Sequence, residues 1–231
     1  MLHLMKLELK KFKLDWYVKR ALIANIVILA LMIFVSIIAQ VEGDAEIRDP
    51  ETILLMASAI VRATFIIFGS VLIARLIIGE YKNKTILLMF SYPINRKKTM
   101  ASKLAITAIV TFITVIVSNI LVVGIFFGID SYFSILPNSF TVDQLMQEGI
   151  KLVPLAIATA GMSLIPLYFG MRKRSVPTTI VSSLIVVSIA MNSNPSFSTA
   201  TFLPLQLALA AIGVVIAYYG IKNIEKEDIA V

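Results

Sequence analysis

The sequence predicts an all-α, polytopic membrane protein with six transmembrane helices and both termini on the cytoplasmic side. Three observations carry that expectation. Of 231 residues, 58% are hydrophobic and 15% charged, against roughly 45–50% and about 25% in a soluble domain, and the mean hydropathy is +0.91. Six long apolar runs follow one another along the chain, and the lysines and arginines fall almost wholly in alternate connections between them. No soluble domain of this length hides so much apolar surface, so lipid is the expected solvent.

A hydrocarbon core takes about 20 apolar residues per helix, with a range of about 17–25. Spans are expected at about 21–41, 53–78, 104–128, 152–170, 176–191 and 202–221, the fifth being short by this measure. Only Arg62 and Arg75 interrupt the second. The first run follows some twenty residues carrying six bases and lacks a small-x-small exit, so it is expected to stay as an anchor rather than leave as a signal peptide.

Orientation follows from the bases in short loops. Residues 1–20 hold six, residues 79–103 six more, 171–177 hold Arg172, Lys173 and Arg174, and the tail adds Lys222 and Lys226. The intervening connections are poor in bases: 42–52 has Arg48 among five acids, 129–150 has no base, and 192–201 has no charge. That is 17 bases against 1, with Lys151 at a helix edge. The net charge of +7 is thus a topology signal and not a nucleic-acid patch. Removing the fifth span would put Arg172–Arg174 and the tail on opposite sides.

Several chemistries lack their residues. There is no cysteine, and one histidine, His3, cannot form a His-based metal site or catalytic pair alone. No Gly-x-x-x-x-Gly-Lys-Ser/Thr exists to cradle ATP phosphates. No Asp or Glu lies within the expected spans, which disfavours a proton antiporter and an intramembrane protease. The chain is therefore not expected to be an enzyme.

In residues 1–20, Leu2, Met5, Leu9, Phe12 and Trp16 recur at spacings of three and four, flanked by Lys6, Lys10 and Lys13. This pattern predicts an interfacial helix in the membrane plane with Trp16 as anchor; the plainer reading is a basic flank that enforces orientation. In the 79–103 loop, Asn83 is placed to cap a short helix over 85–90, Pro93 to end it and Asn95 to cap the third span. Five apolar residues at 86–90 cannot span, so they must pack on protein or membrane, as a docking element for a soluble partner would. The plainer reading is a hairpin that only joins two helices.

This layout, with Glu80, Lys84, Thr85, Leu87, Leu88, Pro93, Asn95, Arg96 and Lys103 in the loop, resembles permease subunits of type-2 ATP-binding-cassette exporters. Lys84 stands where a glycine is common. The resemblance implies an elbow helix at 1–20 and a coupling helix seated in a cleft of a cytoplasmic ATPase, with Glu80, Lys84, Thr85, Leu87, Leu88, Pro93 and Arg96 as coupling residues. It implies a second permease copy completing a homodimeric pathway, and ATP and magnesium bound on the partner subunit, none on this chain. It further implies a multi-pass protein of the bacterial plasma membrane exporting a hydrophobic or antimicrobial peptide. An ion-coupled carrier, or a non-transporting scaffold that binds a cytoplasmic partner, are the alternatives.

Outside the loop, Thr141-x-x-Gln144 is a capping box that predicts a short outer helix within 129–150, either gating the exit or resting on headgroups. Arg62 sits deep in the second span, where a charge costs at least ~2.5 kcal/mol. It either lines the pathway and meets an anionic substrate group, or it pairs with a carbonyl or snorkels. Thr107, Thr111, Thr114 and Ser118 share a face of the third span, a pattern more typical of helix packing than of a substrate track. Pro154 and Pro166 are expected to kink the fourth span.

Overall fold

The structure, a computed structural model, describes residues 14–43, 47, 49–82, 96–133, 136, 141–194, 197–198 and 200–227. Helix α1 is Leu14–Glu42. Helix α2 is Pro50–Ile73, prolonged by a π-helical turn, Ala74–Ile78, and a last turn, Gly79–Lys82. Helix α3 is Arg96–Phe133, α4 Val142–Met162, α5 Pro166–Lys173, α6 Val176–Ala190 and α7 Leu203–Glu227. Between α6 and α7 a small antiparallel ladder pairs Ser193 with Ser198 and Asn194 with Phe197. Among the described residues, five helical stretches are long and apolar enough to cross a membrane, and Val176–Ala190 is a shorter apolar helix. The observed class is the polytopic all-α protein expected from the sequence.

Helix ends extend beyond the apolar runs. Residues 14–20 are the opening turns of α1, not a separate in-plane helix; residues 1–13 of that expected helix lie outside the described residues. Residues 79–82 still belong to the second helix and 96–103 already to the third. The Thr141 capping box forms, with Gln144 N–H donating to Thr141 Oγ1 (3.4 Å) and Thr141 N–H to Gln144 Oε1 (3.0 Å). It opens α4, which runs on unbroken, so the short outer helix expected at 142–150 is the start of the fourth span. Hydropathy marks where hydrocarbon ends, whereas a helix continues as long as its own i→i−4 ladder does.

The fourth span is interrupted at Pro166 and continuous through Pro154. At the break, Leu164 N–H bonds Gly161 O and Ile165 N–H bonds Met162 O, both at 3.1 Å, so three-residue turns take up the carbonyls near the proline. Arg174, in the left-handed region at φ 46°, then reverses the chain into α6.

Among the described residues, three buried clusters run through the bundle. One, at the acidic-loop end, includes Met32, Leu54, Phe65, Val122 and Ala156. A second, between α2, α4, α6 and α7, holds Ile66, Met162, Val186 and Ala210. The third, at the base-rich end, contains Tyr17, Ile73, Ile77, Met100, Leu104 and Leu167. Outward apolar residues such as Ile26 (66% exposed) and Ile120 (60%) form the lipid face. Small residues let the helices approach. A Cβ on Gly161 would lie 2.6 Å from Ala210 Cβ, and one on Gly213 would lie 2.0 Å from Gly161 O, so α4 and α7 touch backbone to backbone.

Candidate functional site

The segment expected to couple to a partner lies between α2 and α3 in sequence, and the ends of these two helices are joined by buried polar contacts. The π-helical turn re-registers the end of α2: Gly79 N–H donates to Ala74 O, five residues back. Lys103 on α3, 3% exposed, donates from Nζ to Leu76 O inside this turn at 2.9 Å. Its ammonium also pairs with the Glu80 carboxylate. A buried ammonium is tolerable only with such partners. One lysine therefore serves both a carbonyl within the irregular turn and the acid one turn further on. The sequence places Lys103 in the 79–103 loop; in the structure it lies on α3 among the buried Thr99, Met100 and Leu104, facing protein.

Trp16 closes the same corner from α1. Its ring carries the Arg20 guanidinium at 3.9 Å and the Arg75 guanidinium at 3.7 Å from the centroid. Arg75 belongs to the π turn, so this cation–π pair ties the start of α1 to the end of α2 at the level of the Glu80–Lys103 pair. The expected role of Trp16 as a lipid anchor thus gains a protein contact.

Arg62 is remote from this corner. It is 3% exposed and about 18 Å along α2 from Pro50 at 1.5 Å per residue. Its Nε donates to Ser58 O (3.2 Å) and its Nη2 to Ala200 O (3.0 Å), while Nη1 has no hydrogen-bond partner among the described residues. Helix α6 has 15 residues, about 22 Å of helix against a core of about 30 Å. The connection that follows dips far enough for its carbonyl at 200 to meet a deep arginine. Non-helical backbone at that depth needs a protein donor, and Arg62 is one. Gln206 Nε2 donates to Ala190 O (2.7 Å) and holds the other end of this connection.

We expect Arg62→Leu to leave the Ala200 carbonyl short of a donor and to lower stability by about 1–3 kcal/mol. Thermal melting in detergent checks this: a purely pathway role would abolish transport with the melting point unchanged.

The hydroxyl face of the third span packs against protein. Asn25 Nδ2 donates to Ser118 Oγ (3.0 Å), and Tyr17 OH lies 3.2 Å from Thr114 Oγ1, so α1 is bonded to α3 at two levels. Ser70 and Ser183 hydroxyls, 3.1 Å apart, join α2 to α6.

Residues 4–190 match the ABC-2 family transporter proteins. The chain belongs to this family. It is also similar to an uncharacterized protein, YcbO, of Bacillus subtilis (strain 168), 41% identical over 227 residues, covering 98% of this chain and all of that one. No solved structure matches it.

Membership identifies a multi-pass membrane component of a transporter. Of the coupling residues expected for this ABC-2 protein, the structure places Glu80 at the neck formed by α2 and α3. Arg96 is the first residue of α3. Lys84, Thr85, Leu87, Leu88 and Pro93 lie outside the described residues. Trp16 joins Glu80 at the same end of the bundle, and Arg62 does not.

Proposed function

We propose that the chain is the permease subunit of an ATP-driven exporter. Two copies would form the pathway, and a separate cytoplasmic ATPase would supply the energy and bind ATP and magnesium. Membership in the ABC-2 transporter family supports the permease reading. The observation that carries the mechanism is the pinned neck. The described part of α2 ends at Lys82 and α3 begins at Arg96, and these two helix ends are tied by Glu80, Lys103 and the Leu76 carbonyl. A force applied to the segment between them is delivered to α2 and α3 together, and to α1 through Arg75 and Trp16. The ATPase must prefer one packing of the spans over the other, because a partner with equal affinity for both shifts nothing.

The cargo we favour is a hydrophobic or antimicrobial peptide moving across a bacterial plasma membrane, since the spans offer few fixed charges. Arg62, whose Nη1 has no hydrogen-bond partner among the described residues, is the group an anionic end of such a cargo would meet.

Deleting 86–90, or reversing the charges of Arg96 and Lys97, is expected to abolish co-purification of an ATPase with the solubilised protein. Undiminished capture by these variants would remove the coupling role from the segment.

A further inference from the structure

A cavity of about 570 Å³ lies between α5 and α7 at the base-rich end of the bundle. Its inner surface is apolar, with Leu167, Met171 and Ile216. Gly220 lines it as well and packs closely: a Cβ at that position would sit 3.3 Å from Leu167 Cδ2. Its rim is different in kind. Tyr168 and Tyr219 stand half exposed, at 50% and 55%, and Arg172 is exposed beside them. Lys173, Arg174 and Lys222 follow on the same two helix ends, all exposed. No carboxylate pairs with Arg172 among the described residues.

We propose that this cavity binds an anionic glycerophospholipid, with acyl chain against Leu167, Met171 and Ile216 and headgroup phosphate at Arg172 and the two phenols. The match is one of both polarity and charge. Only an amphiphile with a long apolar part and a negative head uses the two halves of the site at once. Tyrosines are suited to the headgroup level, and basic clefts between spans attract acidic headgroups over neutral ones. The site sits where α5 turns into α6, so an occupying lipid would brace the Arg174 reversal against α7. This binding does not depend on what the protein exports.

The test uses the full chain in nanodiscs of phosphatidylcholine alone and of phosphatidylcholine with phosphatidylglycerol, with retained lipid counted by native mass spectrometry. Phosphatidylglycerol should be retained in preference. Arg172→Gln should weaken that retention about fivefold, the worth of one base at a charged surface, and Arg172→Lys should restore most of it. Gly220→Leu, which fills the floor, should lower retention with all four bases still present. Equal retention of both lipids, or an Arg172→Gln protein that holds phosphatidylglycerol as well as the parent, overturns the proposal. So does a shift from dimer to monomer in Arg172→Gln with lipid retention unchanged, which would make the cavity a contact between copies.

Discussion

Gly213→Leu is expected to prevent stable assembly of the bundle. The new Cβ would lie 2.0 Å from Gly161 O and 2.9 Å from Gly161 C, both backbone atoms of a neighbouring span. Side chains can rotate out of the way, but a helix backbone cannot. The helices must separate, and α7 then loses its packing on Gly161 and Ile165 together. Overpacking a tight core costs typically 1–3 kcal/mol and at times more; contact with backbone puts this variant above about 3 kcal/mol. Fluorescence-detected size exclusion after a heating series reads the effect as loss of the monodisperse peak. Gly128→Leu is the control, because nothing lies within 4 Å of a Cβ there, and it should stay within about 0.5 kcal/mol of the parent. Similar melting of the two variants would mean that α4 and α7 do not touch as described.

Glu80→Ala should be nearly as damaging, for an electrostatic reason. It leaves a 3% exposed lysine without its carboxylate, and breaking a buried pair from one side costs about 3–5 kcal/mol. Removing both charges, as Glu80→Met with Lys103→Met, should recover much of the thermal stability, since an apolar replacement is often neutral or better. Transport should not recover with it if the pair carries force from the coupling segment. In reconstituted protein, the single variant should lose folding and transport, and the double variant transport alone. A double variant that transports normally would restrict Glu80 and Lys103 to stability.

Much of the architecture was legible in the sequence because its causes are local. An apolar run must become a helix in hydrocarbon, where every backbone group needs a partner within its own segment. Thr141 and Gln144 cap a helix start wherever it occurs. The Thr114 and Ser118 face was readable as packing because hydroxyls inside a membrane seek partners on neighbouring helices. The limits of each helix were less legible. Residues 96–103 read as loop and 142–150 as a short separate helix, yet both belong to long helices, α3 and α4.

The candidate site was legible only in outline. Glu80 and Trp16 stand out by type and position, and both reach the corner where α1, α2 and α3 meet. Lys103 as the partner of Glu80 and of the Leu76 carbonyl, and Arg75 over the ring of Trp16, depend on residues 23 to 59 positions apart coming together.

The sequence by itself determined that this chain is an all-α protein with several membrane-spanning helices, because the solvent acts on each apolar segment independently. Tertiary structure alone decided that Arg62 holds the carbonyl of Ala200, 138 residues away, that Pro166 interrupts a helix where Pro154 does not, and that two glycines bring α4 and α7 into contact. Those outcomes are set by which surfaces meet, and a buried donor, a carbonyl or a missing Cβ takes its meaning from the neighbour that docking supplies.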